Sequence, residues 1–302
     1  MISIGILLFS DQKNSLSCST SAADEIIKAA QARGHRASVL LARDLTFLDE
    51  QGKMTVSHDG KRLLKFDVII VRPNFSESPD LYAYPSQMLS LCGYKVINKW
   101  PSYSSTKNKI DQHVVAYDQD IPRADWAVGF RSHGIMQAAK KLGYPLVAKV
   151  PRGSWGHGVF FADSPEVLRP IVDFLTSRYQ SPVILERFIK EADRSDIRVF
   201  VVGGKVVGSM RRKAPQDDVR SNTSNGGRGY KVKITKEEET LSIRMAELYG
   251  LDIAGIDLLR SKKGPLVMEV NANPGFKELA RVTKLDIAGA IIDYAVEVAK
   301  KK

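Results

Sequence analysis

Three oxygen-bearing side chains near the C-terminus are spaced for metal chemistry. The stretch begins Ile253-Ala254-Gly255-Ile256-Asp257-Leu258-Leu259-Arg260 and passes through Ser261-Lys262-Lys263-Gly264. It continues as Pro265-Leu266-Val267-Met268-Glu269-Val270-Asn271. Two apolar arms around a Ser-Lys-Lys-Gly punctuation predict a β-hairpin. Centred on Lys263, the hairpin sets Asp257 opposite Glu269, and period-2 alternation puts Asn271 on the face of Glu269. Carboxylates on an otherwise buried sheet are costly unless paired or metal-bound. Hard oxygen ligands of this kind suit Mg²⁺ with substrate phosphates completing its shell. The competing reading is a structural salt bridge to a nearby Lys or Arg.

A second cluster lies upstream. A strand ending at Lys149 runs into Pro151-Arg152-Gly153-Ser154-Trp155-Gly156-His157-Gly158. Its closely spaced glycines let the backbone approach a ligand and aim N–H groups at anionic oxygens. The pattern lacks the Gly-Lys-Ser/Thr ending of a Walker A loop. It is no dinucleotide fingerprint either, because Val159-Phe160-Phe161 reads as a strand where a helix would be needed. An ordinary hairpin turn is the alternative. Lysine is a compact charge suited to phosphate, so Lys149 strengthens the phosphate reading; otherwise it is an exposed strand residue. Lys109, at the start of the next predicted helix upstream, is on its own one of many surface lysines.

The third segment follows a strand ending in Arg211-Arg212-Lys213. It contains Gln216, Arg220-Ser221-Asn222, Gly226-Gly227 and Gly229. Loops of this length are often lids or binding loops, and arginine forks match carboxylate and phosphate oxygens. A solvated loop is the alternative.

These segments need a scaffold. Residues 3–9 read as a strand, 21–33 as a helix stopped by Gly34, 37–42 as a second strand and 67–72 as a third, stopped by Pro73. Short connections imply a right-handed parallel βαβ unit, with a small hairpin over 53–64 inserted. Residues 101–106 read as a linker and 107–117 as a helix. A short strand at Trp126, a helix over 135–142, and strands over 144–150, 182–189, 196–202 and 205–211 follow. A helix over 237–249, the metal hairpin and a helix over 286–300 complete the chain. The predicted units are 1–97, 98–185 and 186–302.

With 302 residues, 43% of them hydrophobic, the composition is globular. No apolar run approaches the roughly 20 residues that span a bilayer, so no membrane partner is expected. The first nine residues read as a strand, with neither the basic n-region nor the cleavage site of a signal peptide. Two cysteines, Cys18 and Cys92, form no disulfide framework and fit a reducing, cytoplasmic setting. A net charge of +11 favours anionic partners. The choices are nucleic acid, ATP with an acidic substrate, or solubility alone. No nucleic-acid recognition motif is present, so direct nucleic-acid binding is not expected. The five histidines are scattered; His157 is expected to shape the glycine loop. No Ser-His-Asp or Cys-His arrangement points to a nucleophile.

In combination these pieces resemble the ATP-grasp superfamily, and within it the RimK-like amino-acid ligases typified by the ribosomal-protein glutamate ligase. The resemblance is carried by residues 188–203, by Arg220-Ser221-Asn222 with Gly226-Gly227, and by Gly255-Ile256-Asp257 through Gly275. It implies an α/β fold: an N-terminal Rossmann-like domain, then a two-lobed α+β ATP-grasp part with antiparallel sheets. It implies that ATP and two Mg²⁺ or Mn²⁺ ions are bound, with Asp257, Glu269 and Asn271 as metal ligands. Lys109 and Lys149 would contact the phosphates, and Gly153, Ser154, Gly156 and Gly158 would close over them. Glu186, Arg187 and Phe188 would lie at the adenine hinge and Asp196 at the ribose. Arg220, Ser221 and Asn222 would reach the triphosphate and the reacting carboxylate, with Arg212 adding charge. At the hinge the family usually reads Gln-Glu-Tyr-Ile, whereas this chain has Glu186-Arg187-Phe188-Ile189. The N-terminal domain matches in outline only, including Arg72 at the end of its strand.

The activity implied is ATP-dependent joining of a carboxylate to an amine through an acyl phosphate. An amino acid, glutamate first, would be added to a protein C-terminus, an acidic peptide or a small carboxylate such as a cofactor tail. Family habit implies a homo-dimer or tetramer. A phosphotransferase and a non-catalytic binder of ATP or acidic peptide are the alternatives from other classes.

Overall fold

A computed structural model describes residues 1–9, 18–72, 84–153, 158–178, 180–215 and 226–301. The N-terminal unit comprises β1 (Ser3–Leu8), α1 (Cys18–Ala32), β2 (Arg36–Leu41), β3 (Leu45–Glu50), β4 (Lys53–His58), β5 (Lys61–Arg62), β6 (Val68–Val71), α2 (Tyr84–Leu91) and β7 (Val96–Ile97). Strands β2, β1, β6 and β7 form a parallel sheet in that order, as the predicted βαβ unit requires. Strands β3, β4 and β5 form a separate antiparallel ribbon. The turn at Asp59-Gly60 was legible. The Gln51-Gly52 turn that pairs β3 with β4 was not; both its residues have positive φ, at 55° and 80°.

The middle unit holds α3 (Ser102–Ser105), α4 (Lys109–Asp118), β8 (Trp126–Gly129), α5 (Ser132–Leu142), β9 (Leu146–Lys149), β10 (Val159–Ala162), α6 (Pro165–Arg178) and β11 (Val183–Arg187). Its sheet is antiparallel, ordered β10-β9-β11-β8. The sequence reading missed α6, whose interior carries Pro170. Its Leu168, Val172 and Leu175 nonetheless line up at helical spacing and are buried. β11 crosses the expected division at 185/186, so Glu186 and Arg187 lie in the middle sheet.

The last unit contains β12 (Ser195–Val202), β13 (Lys205–Lys213), β14 (Arg228–Lys231), α7 (Lys236–Leu248), β15 (Ile253–Ser261), β16 (Gly264–Asn271), α8 (Lys277–Thr283) and α9 (Ile287–Lys300). Its antiparallel sheet runs β14-β13-β12-β15-β16. A capping box starts α7: Thr235 Oγ1 accepts the Glu238 N–H, and Glu238 accepts the Thr235 N–H. No helix among the described residues is long and apolar enough to cross a membrane.

The cores divide unequally. Leu7, Ile69 and Val71 of the N-terminal sheet share one apolar cluster with Val199, Met245 and Ile256. Ile4, Ile6 and Ile70 share another with Phe200, Phe276 and Ile291. The middle sheet has its own, built from Ile135, Ala139, Leu146, Ala148, Leu168, Val172 and Leu185. The first and last units are therefore packed as one body, against which the middle sheet stands.

Asn98 joins that body. Its side chain donates to the carbonyls of Ile253 (2.7 Å) and Ala272 (2.9 Å) and accepts the Ile253 N–H (2.9 Å). It holds φ of 59°, a left-handed value that asparagine tolerates. Asn98→Ala leaves those three backbone groups buried and unpaired. We expect a loss of about 3–5 kcal/mol, since each orphaned group costs roughly 1–3 kcal/mol. Urea unfolding measures it, and a loss below about 1 kcal/mol would show that this junction matters little.

Candidate active site

The hairpin forms as expected, but its register has a different origin. Lys262 and Lys263 are the two central turn residues, so Ser261 faces Gly264 and Leu258 faces Val267. Continued unchanged, that register would place Asp257 opposite Met268. A bulge between Asp257 and Leu258, with Met268 left unpaired on β16, shifts it by one, and Asp257 faces Glu269 while Gly255 faces Asn271. The bulged edge is held from outside. Arg123 donates to the Met268 carbonyl at 2.6 Å, and the Val267 N–H donates to the Pro122 carbonyl at 2.8 Å. Gly255 must lack a side chain, because a Cβ there would sit 2.6 Å from Pro274.

Asp257 is buried between two arginines. Arg198, opposite it on β12, donates to both carboxylate oxygens, with Nη2 at 2.8 Å from Oδ2. Arg212 Nη2 lies 2.8 Å from Oδ2 as well, while its Nε donates to Asp196 at 2.7 Å. Asp196 and Arg212 are themselves opposite in the sheet. All four groups are at most 7% exposed. Burial alone would raise the Asp257 pKa; the two guanidinium charges outweigh it and hold the carboxyl below its usual range. Burial likewise opposes the charge of Arg212, and Asp196 and Asp257 raise its pKa regardless.

The salt-bridge alternative is thus real for Asp257, yet it does not exhaust the site. Arg198 takes two of roughly four lone-pair positions on Asp257, and Arg212 lies against Oδ2 as an ion pair without hydrogen-bond geometry. Asn271 Oδ1 accepts one hydrogen bond, from the Asn273 N–H at 2.9 Å, and keeps a second lone pair. Glu269 is half-buried and has no hydrogen bond or ion pair among the described residues. This oxygen donor set fits a hard divalent cation. Among the described residues no three His, Cys, Asp or Glu side chains are grouped to hold a metal. The candidate set consists of two carboxylates and one amide.

On the middle sheet, cross-strand register puts Val147, Phe161, Glu186 and Trp126 on one face with Lys149. Lys149 Nζ donates to Glu186 Oε2 at 2.6 Å, and His113 Nε2 lies 2.9 Å from Oε1. Burial pushes the Glu186 pKa up, but Lys149 and His113 reverse this and leave it far below the usual range. The Glu186 side chain is therefore committed to those two partners. Gly158 has φ of 75°, and a Cβ there would lie 2.3 Å from Val150. The Val150 N–H donates to the Gly158 carbonyl at 3.0 Å, closing the loop at its base. Lys109, first residue of α4 behind its Asn108 cap, donates to the Gly153 carbonyl at 3.0 Å. Lys107 lies close enough to feel both Glu269 and Lys109, and burial lowers its pKa.

At the hinge the Arg187 and Phe188 N–H groups donate to the carbonyls of Asp125 (2.8 Å) and Pro145 (3.1 Å). The next amide, Ile189 N–H, has no partner among the described residues. Phe188 packs edge-on against Phe161, with centroids 5.1 Å apart.

Of the expected residues, Asp257, Glu269, Asn271, Asp196 and Arg212 share one face of the last sheet. Lys149 and Glu186 share one face of the middle sheet, while Arg187 ends β11 on the opposite face and Phe188 follows it. Ser154, Gly156, Arg220, Ser221 and Asn222 lie outside the described residues. Arg198, Lys107, Gln112, His113 and Arg123 were not singled out from the sequence. Arg198 was findable: two residues after Asp196 on a predicted strand, it had to share that face.

A model of the RimK-like ATP-grasp domain matches residues 106–295. A probable alpha-L-glutamate ligase of Methanococcoides burtonii is 33% identical over 271 residues, 89% of each chain. The ATP-grasp ligase PsnB, solved with a phosphomimetic variant of its minimal precursor, Mg and ADP, superposes with a TM-score of 0.73. It shares 20% identity, over 99% of both chains. A RimK domain ATP-grasp protein from Sphaerobacter thermophilus gives a TM-score of 0.70 at 21% identity, covering 96% of this chain and 99% of that one.

The buried charges set an acid limit on stability. Asp257 and Glu186 are held below their ordinary pKa values, so their contribution is full above about pH 4–5 and is lost as pH falls below it. Arg212→Met strands part of this cluster. We expect a loss of about 3–5 kcal/mol at neutral pH and acid unfolding that begins at higher pH. Circular dichroism during an acid titration measures both, and an unshifted midpoint would contradict the coupling.

Proposed function

The chain belongs to the RimK-like ATP-grasp family, and on that premise we propose that it adds glutamate to an acidic acceptor. It is an ATP-grasp ligase, and its reaction is ATP-dependent amide formation. The acceptor in our reading is a protein C-terminus, a peptide or a small carboxylate such as a cofactor tail, and the setting is the cytoplasm of the cell. The observation that carries the nucleotide-metal assignment is Glu269. It is a half-buried carboxylate with no hydrogen bond or ion pair among the described residues, set directly across from Asp257.

The chemistry has two steps. A carboxylate oxygen attacks the γ-phosphorus of ATP, the bond to the bridging oxygen breaks, and an acyl phosphate and ADP result. The amine of the second substrate then attacks the acyl carbon, phosphate leaves, and the amine loses a proton. Catalysis is chiefly positioning and charge stabilisation. Asp257, Glu269 and Asn271 would hold one or two Mg²⁺ ions, which supply neutralising charge beside the transferring phosphoryl group. Lys149, and Lys109 with Lys107, supply positive charge from the side of the glycine loop. Val147, Phe161 and Phe188 offer an apolar surface for the base, with the Ile189 N–H as a donor at its edge. Arg220, Ser221 and Asn222, with Ser154 and Gly156, are proposed to close over the phosphates and exclude water, to which an acyl phosphate is vulnerable. The basic balance of the chain favours acidic substrates. A dimer or tetramer is part of the same proposal.

The test is amide formation. The purified chain is incubated with ATP, Mg²⁺, amino acids, acidic peptides and small carboxylates. ADP release is followed and products are read by mass spectrometry. We expect a mass equal to two substrates joined with loss of water. A stable phosphorylated product without an amine requirement would instead establish a phosphotransferase. Glu269→Gln should lower turnover by about a hundredfold or more with the fold intact; wild-type turnover in that variant would overturn the metal assignment.

A further inference from the structure

Helix α4 touches both halves of the site through two adjacent side chains. Gln112, 1% exposed, lies against the edge strand β16. Its Oε1 accepts the Val270 N–H at 2.8 Å. Its Nε2 donates to the Val270 carbonyl at 3.1 Å and the Thr106 carbonyl at 2.7 Å. Val270 stands between Glu269 and Asn271. The side-chain amide thus replaces a neighbouring strand at the residue whose two flanks are the proposed metal ligands. Arg123 extends the splint by donating to the carbonyls of Met268 (2.6 Å) and Gln112 (3.1 Å). An edge strand otherwise presents unpaired backbone groups, and a bulged one can slip.

His113 faces the other sheet. Its Nε2 lies 2.9 Å from Glu186 Oε1, and Glu186 Oε2 accepts from Lys149. The imidazole stacks on Trp126, the cross-strand neighbour of Glu186, with ring centroids 4.6 Å apart. Its buried Nδ1 has no partner among the described residues. A neutral ring with its proton on Nε2, donating to the carboxylate, accounts for both facts. Lysine side chains lose much rotamer freedom when fixed, and this His–Glu pair fixes Lys149 at a position where a long flexible chain would otherwise wander.

We propose that Gln112 and His113 are positioning residues for the two halves of the nucleotide site. Gln112 sets the strand bearing Glu269 and Asn271. His113, through Glu186, sets the ammonium of Lys149. Because both stand on α4, whose first residue is Lys109, the helix fixes the spacing between the metal-binding and phosphate-binding groups. The inference rests on the ligand assignment proposed above.

Two affinities and one stability separate positioning from simple packing. On the full chain, ADP affinity without metal is measured by calorimetry, Mn²⁺ affinity in the presence of ADP by electron paramagnetic resonance, and the melting temperature by calorimetric scan. Gln112→Leu should weaken Mn²⁺ binding about tenfold or more while metal-free ADP affinity holds. His113→Phe, which keeps a ring on Trp126 but loses the donor, should weaken metal-free ADP binding about tenfold while Mn²⁺ affinity holds. His113→Gln, which restores a donor, should recover most of that loss. Should Gln112→Leu not fold, Gln112→Glu keeps the acceptor for Val270 and should show the same one-sided loss. Parallel weakening of both affinities with a lower melting temperature would reduce both residues to packing and overturn the proposal. So would unchanged affinities in all variants. If the wild-type chain itself binds neither ADP nor Mn²⁺, the nucleotide-metal reading fails, and the inference built on it falls for that separate reason.

Discussion

The four buried charges at the centre of the C-terminal sheet, Asp196, Arg198, Arg212 and Asp257, are tolerated only because counter-charges stand beside them. Asp196 faces Arg212, Arg198 faces Asp257, and Arg212 reaches Asp257 as well. Each ion removed from water costs several kcal/mol, which only close pairing offsets. These pairs are made across strands, so they exist at one register alone. A slip of one residue would turn the charges into the apolar cluster of Val199, Ile256 and Met245. The pairing of β12, β13 and β15 is therefore specified twice, by what the apolar face buries and by what the charged face must neutralise.

The arrangement of cores explains where a ligand can enter. The middle sheet packs Leu146, Ala148 and Leu185 on α5 and α6 and needs no other unit to bury that face. Its other face is left to Lys149, Glu186 and half-buried Val147 and Phe161. The first and last units share their apolar clusters. Two separately cored bodies thus present polar faces, and α4 is bonded to both through Gln112 and His113. Packing thereby leaves a charged face on each body with α4 bonded to both, an arrangement suited to holding a polyanionic substrate between oriented groups.

Local pattern carried much of this in the sequence. The Ser-Lys-Lys-Gly turn between Val- and Leu-rich arms gave the hairpin, and alternation put Glu269 with Asn271. The pairing of Asp257 with Glu269 came from centring the turn on Lys263. The actual turn is centred half a residue earlier, and a bulge restores the pair. Bulges are set by tertiary neighbours, here Arg123 and Pro122, which lie more than 140 residues away along the chain. His113 and Gln112 were opaque for the same reason: a buried polar residue on a helix is identified by partners that only the fold supplies. Helix α6 was missed on local grounds, because Pro170 argues against a helix while Pro165 at its first position argues for one. The hinge departure at Glu186-Arg187 reads differently in three dimensions, since Glu186 serves Lys149 and His113.

Charge balance gives the proposed metal site its logic. Among the described residues the site brings together six cationic side chains, Lys107, Lys109, Arg123, Lys149, Arg198 and Arg212, and four anionic ones, Asp196, Glu186, Asp257 and Glu269. Three of the four carboxylates are already paired with Lys or Arg. The described side chains alone thus leave only part of the positive charge needed to meet a triphosphate. Adding more lysine or arginine would raise the self-repulsion of the site before the nucleotide binds; burial already lowers the Lys107 pKa, and Lys109 nearby adds to that. A divalent cation that arrives with the nucleotide avoids that cost, because its charge is present only when the phosphates are. Glu269, the one carboxylate of the set with no hydrogen bond or ion pair among the described residues, is the group such a cation would neutralise. Asp257 is clamped by arginines and Glu269 across from it is not, so the two carboxylates would hold the proposed cation with unequal restraint.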